Sequence, residues 1–203
     1  MNGLQLGFEN VMSEFSLKLD AFRKDLERLL INSLRTTIRL RNNSDENDAV
    51  YSAVVYCDSG FVSVGAALNT QEWLKSKIDD PDEPAKKEYL EVLAAEWKEF
   101  DFESFNELNN QIYKFFESVD ESGIDLKDLD ITNLFTEVIV RAIQHVNFAQ
   151  ILKTTYEGDL LLGMQFADPS SDQWQASLKV SEIVNTDIWH QKLKAVAQET
   201  SVG

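Results

Sequence analysis

The chain has one cysteine, three prolines, eight glycines and two histidines among its 203 residues. A single cysteine, Cys57, cannot close an internal disulfide, which fits a reducing compartment. Two isolated histidines and one thiol form no closely spaced ligand cluster, so the residues point to no metal and no cofactor. No apolar run approaches the ~18 residues that a membrane span requires. The opening stretch "MNGLQLGFENVMSEF" lacks both the basic cluster and the continuous apolar core of a secretory signal. These absences lead us to expect a cytosolic protein with no membrane contact.

Positive charge is also scarce. Nineteen Lys and Arg stand against 35 Asp and Glu, for a formal charge of −16. The imbalance is uneven: residues 1–41 hold seven basic and five acidic side chains, whereas residues 79–130 hold five basic and seventeen acidic, a net of −12. A surface of that sign repels nucleic acid, whose binding requires Lys and Arg against phosphate. It attracts a basic protein partner instead. With 43% hydrophobic residues the chain can still bury a core, and its length suits one domain spanning residues 1–203.

Periodicity supplies the elements. Phe15, Leu19, Phe22, Leu26 and Leu29 make one apolar stripe, which predicts a helix over residues 9–40. "NNSDEND" (42–48) reads as a loop. Residues 50–57 and 61–67 are rich in β-branched and aromatic side chains, with Asp58-Ser59-Gly60 between them, and predict a tight antiparallel hairpin. Asn69 or Thr70 would cap the next helix. After a break at 79–87, "YLEVLAAEW" and "FESFNELNNQIYKFF" read as helical, with an extended end to the first as the alternative, and "DESGIDLKDLD" (120–130) as an acidic loop. Phe135, Ile139, Ala142 and Val146 mark a further helix. The run within 158–166 predicts a strand buried on both faces, and Asn185 or Thr186 caps a closing helix. The expected fold is α+β: a small antiparallel sheet with a central hairpin, packed against several helices.

The usual catalytic patterns fail. Gly60 to Gly65 has one residue too many for a nucleophile elbow, and Ser63 falls in a predicted strand. Neither His145 nor His190 has a recognisable signature that would pair it with Cys57. "DESGIDLKDLD" places Ile124 where a calcium loop needs an oxygen, and no phosphate-binding glycine motif occurs.

Several stretches nevertheless resemble one bacterial family, domain-of-unknown-function family 4303, across roughly residues 10–195. "VYSAVVYCDSGFVSVGAALNT" is similar to its Y-x-F-A-L-Y-T-D-D motif with an A-A-N-T-like end. "AAEWKEF" resembles its P-A-E-W motif, with alanine at the proline position. "LLLGMQFADPSSD" resembles its last strand and S-D-S-D-like turn, and "ASLKVSEIVN" its serine-to-asparagine segment. The resemblance implies an immunity-type protein, analogous to the SMI1/KNR4-like ones, that binds and neutralises a toxin rather than an enzyme. Its motif positions fall on Asp58, Glu96, Trp97 and Asp168. The expected partner surface comprises Asp79, Asp80, Asp82, Glu83, Glu96, Trp97, Glu99, Asp101, Glu103, Asp168 and Asp172, facing a basic toxin domain. The alternatives are a hydrolase using Asp58, Glu96 and Asp168, or a scaffold without a toxin.

Overall fold

A computed structural model describes residues 2–44, 48–79, 87–125, 129–152 and 158–200, with side chains from residue 15 onward. Four strands form one sheet in the order β3-β2-β1-β4: β1 (Val50–Cys57), β2 (Val64–Thr70), β3 (Glu99–Asp101) and β4 (Leu161–Phe166). The α+β class is as expected, but the sheet is mixed. β1 pairs antiparallel with β2, Val54 opposite Ala67, and parallel with β4, Val54 opposite Gly163. The antiparallel expectation fails at this pair because both strands read as buried apolar runs, and such a run carries no direction.

Helices cover both faces of the sheet. On one face Ala53, Val55, Cys57, Ala66, Leu68 and Met164 pack against α1 (Asn2–Asn43), α4 (Asn106–Ser122) and α5 (Ile131–Val146). The predicted α1 stripe is the side that docks there, and Phe22 stacks on Phe115 of α4 at 3.8 Å between ring centres. On the other face Val54, Ala67 and Leu161 meet Trp97, Trp174, Trp189 and Leu193. These come from the segment after α3 (Lys87–Val92), from α7 (Ser171–Val184) and from α8 (Asp187–Thr200). A bulge between Val50 and Ser52 shifts the alternation, so Val50 joins the first face and Tyr51 the second. Two short elements complete the path, α2 (Gln71–Ile78) and α6 (Phe148–Ile151).

Local signals were mostly obeyed. Thr70 caps α2, its hydroxyl accepting from the Trp73 N–H, and Ser170 with Gln173 forms a capping box on α7. The other cap candidate, Asn69, is buried and donates to Tyr51 Oη and the Leu90 carbonyl. The hairpin is wider than expected. Residues 58–63 form its loop, organised by the Asp58 carboxylate, which accepts from the Gly60 and Val62 N–H groups. Phe61 sits there with φ of 57°, held in the left-handed region by its ring, which stacks on Phe135 and meets Phe166 edge-on. Ser63 therefore lies in the loop, not in a strand.

Cys57 ends β1 fully buried, between Val64 and Phe166. Burial pushes its thiol far above the ordinary range, and the neighbouring Asp58 charge adds to the effect. A thiol reagent at neutral pH should label the native protein only as fast as it opens, and label it at once in denaturant. Rapid stoichiometric labelling of the native state would contradict this placement.

Candidate functional site

The sheet has two edges, and they are finished differently. Along β4 the Asn185 side chain imitates a neighbouring strand: its Oδ1 accepts from the Leu162 N–H and its Nδ2 donates to the Leu162 carbonyl, both at 2.7 Å. That occupies part of an edge which would otherwise invite pairing. At the opposite edge β3 is a strand of only three residues, with Phe100 opposite Ala67.

Here the alternation Glu99-Phe100-Asp101-Phe102-Glu103 divides side chains by face. Phe100 and Phe102 lie parallel, 6.2 Å apart with 6° between their planes, and Tyr56 of β1 meets both edge-on. Gly65 makes this possible. A Cβ there would stand 2.5 Å from the Phe102 ring and 3.0 Å from the Asp101 carbonyl oxygen, so only glycine lets the ring lie on the sheet. Phe100 and Phe102 remain 39% and 40% exposed. Burial, with the nearby Glu96 charge, raises the Tyr56 phenol pKa.

The acids turn toward α1. Asp101 accepts from Thr37 Oγ1 at 2.5 Å and from the Ser104 N–H at 3.0 Å. Burial alone would raise its carboxyl, but hydrogen bonds from Thr37, Ser104 and Glu103 outweigh that and hold it below the usual range. Glu99 pairs with the buried Arg41 guanidinium at 3.4 Å. Together Leu40, Arg41, Lys98, Phe100, Phe102 and Glu103 border an open cleft of about 540 Å³.

A second, smaller cleft of about 250 Å³ lies beyond the end of β4. It brings Glu96 and Asp168 together, with Gln165, Trp174 and Thr200 on its walls. Gln165 fixes this region, bridging the Val92 carbonyl and the Ala94 N–H. Asp58 lines neither cleft, because its carboxylate is committed to its own turn.

The chain matches the family described as a domain of unknown function (DUF4303) over residues 30–179. It belongs to that family. No curated protein and no solved structure matches it. The DUF4303 segment runs from the middle of α1 into α7, so it contains the whole sheet and the β3 cleft, whereas α8, which adds Thr200 to the wall of the second cleft, lies outside it. It is narrower than the 10–195 that the motifs suggested.

The expected surface residues thus separate into groups. Glu99, Asp101 and Glu103 gather at the β3 cleft, and Glu96 and Asp168 at the second. Asp172 is exposed in the first turn of α7, and Asp79 is exposed at the end of α2. Asp80, Asp82 and Glu83 lie outside the described residues. Trp97 is a correction: at 4% exposure it belongs to the core, its indole N–H donating to the Leu90 carbonyl, so the most conspicuous motif residue is not a contact surface. Phe100, Phe102 and Leu40 have no place in the expected surface. Residues 98–101 fall between the two segments read as helical, and the alternation of acid and phenylalanine over 99–103 is too short to mark a strand by itself.

Two measurements probe this edge. Gly65→Ala should dislodge the Phe102 ring and loosen β3, with a loss of about 1–3 kcal/mol in chemical denaturation and altered near-ultraviolet dichroism. Asp101→Asn should cost about 1 kcal/mol at neutral pH through its weakened hydrogen bonds. The Asp101 carboxyl titrates lower folded than unfolded, so its contribution is complete above the unfolded value near 3.8 and is lost as pH falls through the folded one. The stability gap between wild type and Asp101→Asn should therefore be constant at neutral pH and shrink below about pH 4. A gap that widens on acidification would refute the assignment.

Proposed function

We propose that this protein is a cytosolic, immunity-type binding protein that neutralises a bacterial toxin by covering a basic surface or active site on it. The observation that carries the reading is the pair of stacked, exposed phenylalanines on the short edge strand, set within the most acidic part of the chain. Aromatic side chains held rigidly at low entropic cost are the usual anchors of protein interfaces, and charged residues around them form the rim. The rim here is anionic: Glu103 borders the cleft, and Glu107, Glu117, Asp120 and Glu121 continue exposed along α4. Such a surface complements the Lys and Arg that a toxin uses on phosphate or another anion. No described helix is long and apolar enough to cross a membrane, which is compatible with the cytosolic reading.

A hydrolytic reading has one observation in its favour, the shared cleft of Glu96 and Asp168. It is weakened by the loss of Asp58 from that group. Binding remains the better-supported function.

The test uses the product of the adjacent gene as partner, with rates measured at low and high salt. Phe100→Ala with Phe102→Ala should accelerate dissociation and cost about 2 kcal/mol or more of affinity, as removal of a hot spot does. Replacing Glu103 and Glu107 with Gln should slow association and flatten its salt dependence, because rim charges act on encounter. Neutralising Asp79, Asp80, Asp82 and Glu83 tests the neighbouring acidic segment in the same way. Wild-type rates and salt slope in all three variants would reject the β3 edge as the interface.

A further inference from the structure

The solvent side of α1 has the opposite character from the edge just described. Lys24, Arg28, Arg35 and Arg39 recur at intervals of four, seven and four residues, which places them on one helix face. Like charges one turn apart weaken an isolated helix, so this arrangement opposes local stability. Carboxylates outnumber cations almost two to one in the chain, and other arginines of α1 have used them. Arg23 reaches Glu137 at 2.6 Å, and Arg41 reaches Glu99. Lys24 and Arg35 make no ion pair or hydrogen bond among the described residues, and Arg28 has only the exposed Asp25 at 3.4 Å.

These cations are also not on a flat surface. Lys24, Arg28, Asn32 and Arg35 border a cleft of about 390 Å³ whose far wall includes His145, in the last turn of α5. Ile31 forms an apolar part of the lining. The one carboxylate on the lining, Glu27, faces the Arg141 guanidinium at 3.6 Å, so its charge is opposed from α5.

We infer that this cleft binds a small phosphate-bearing molecule, with Lys24, Arg28 and Arg35 as its charge partners and Asn32 and His145 as hydrogen-bonding groups. Guanidinium groups match phosphate oxygens in pairs, and a lysine adds a mobile point charge. The volume suits a molecule of roughly nucleotide size. The acidity of the rest of the chain does not forbid this. At physiological salt its field is screened beyond about 8 Å, so an anion in contact with these three cations responds mainly to them. The site lies across α1 from Thr37 and Arg41, which face the β3 cleft, and it is independent of the toxin-binding reading.

Titration calorimetry of the full chain with inorganic pyrophosphate at physiological ionic strength tests the proposal. One saturable site is expected. Lys24→Gln, Arg28→Gln and Arg35→Gln together should raise its Kd at least about tenfold with Tm unchanged. A charge-matched control, Lys87→Gln, Lys114→Gln and Lys194→Gln, should leave Kd within about twofold, because those exposed side chains are elsewhere. Absence of saturable binding, equal affinity in the first triple variant, or an equal loss in the control would overturn the proposal. So would binding to phosphatidylglycerol vesicles without binding to pyrophosphate, since that would make the surface a lipid contact.

Discussion

β1 is the one element that every other part of the protein leans on. It is paired on both sides, with β2 and with β4, and its side chains are buried above and below apart from the half-buried Tyr56. A strand so enclosed must satisfy its backbone within the sheet and its surface within two helical layers, because no water reaches either. The α1–α4–α5 layer and the Trp97–Trp174–Trp189 layer exist to meet that demand. Ser52 fits the same constraint: it is a polar side chain in the middle of the strand, and its hydroxyl donates to the Leu161 carbonyl of β4.

A sheet centred on one strand leaves two edges to be managed, and here they are finished differently. The β4 edge is partly closed by an asparagine from the α7–α8 junction. Asn109 does a similar service at the start of β2, its amide exchanging two hydrogen bonds with Val64. The β3 edge is instead short, acidic and aromatic. Glu99 and Asp101 are ordered by α1 and the rings by Gly65, so the exposed phenyl groups are held in place by the fold itself. On the proposed binding function, such preorganisation would reduce the entropy lost on association.

Charge is distributed with the same polarity. α1 separates the acidic edge from the cationic cleft, with Thr37 and Arg41 on one side and Lys24, Arg28 and Arg35 on the other. One helix therefore contributes to two surfaces of opposite sign in a chain whose total charge would suggest only one. The Arg41–Glu99 pair, a buried guanidinium against a partly exposed carboxylate, joins α1 to the edge strand.

The sequence by itself determined what depends on neighbours along the chain. The Phe15-to-Leu29 stripe, the apolar runs of β1 and β4, the cap at Thr70, and the turn-forming role of Asp58 all follow from local spacing and hydrogen-bonding chemistry. The narrow DUF4303 motifs were legible too, but not their roles: Trp97 looked like a contact residue because a motif names a position without saying which way it faces. Tertiary structure alone decided the parallel pairing of β4 with β1, the wider hairpin loop and the existence of β3. A three-residue strand has too little local preference to declare itself, and is extended only because β2 offers it an unpaired ladder. Whether an acid stays exposed, like Glu103, or becomes an internal acceptor, like Asp101, likewise depends on a helix more than sixty residues away, which no local pattern records.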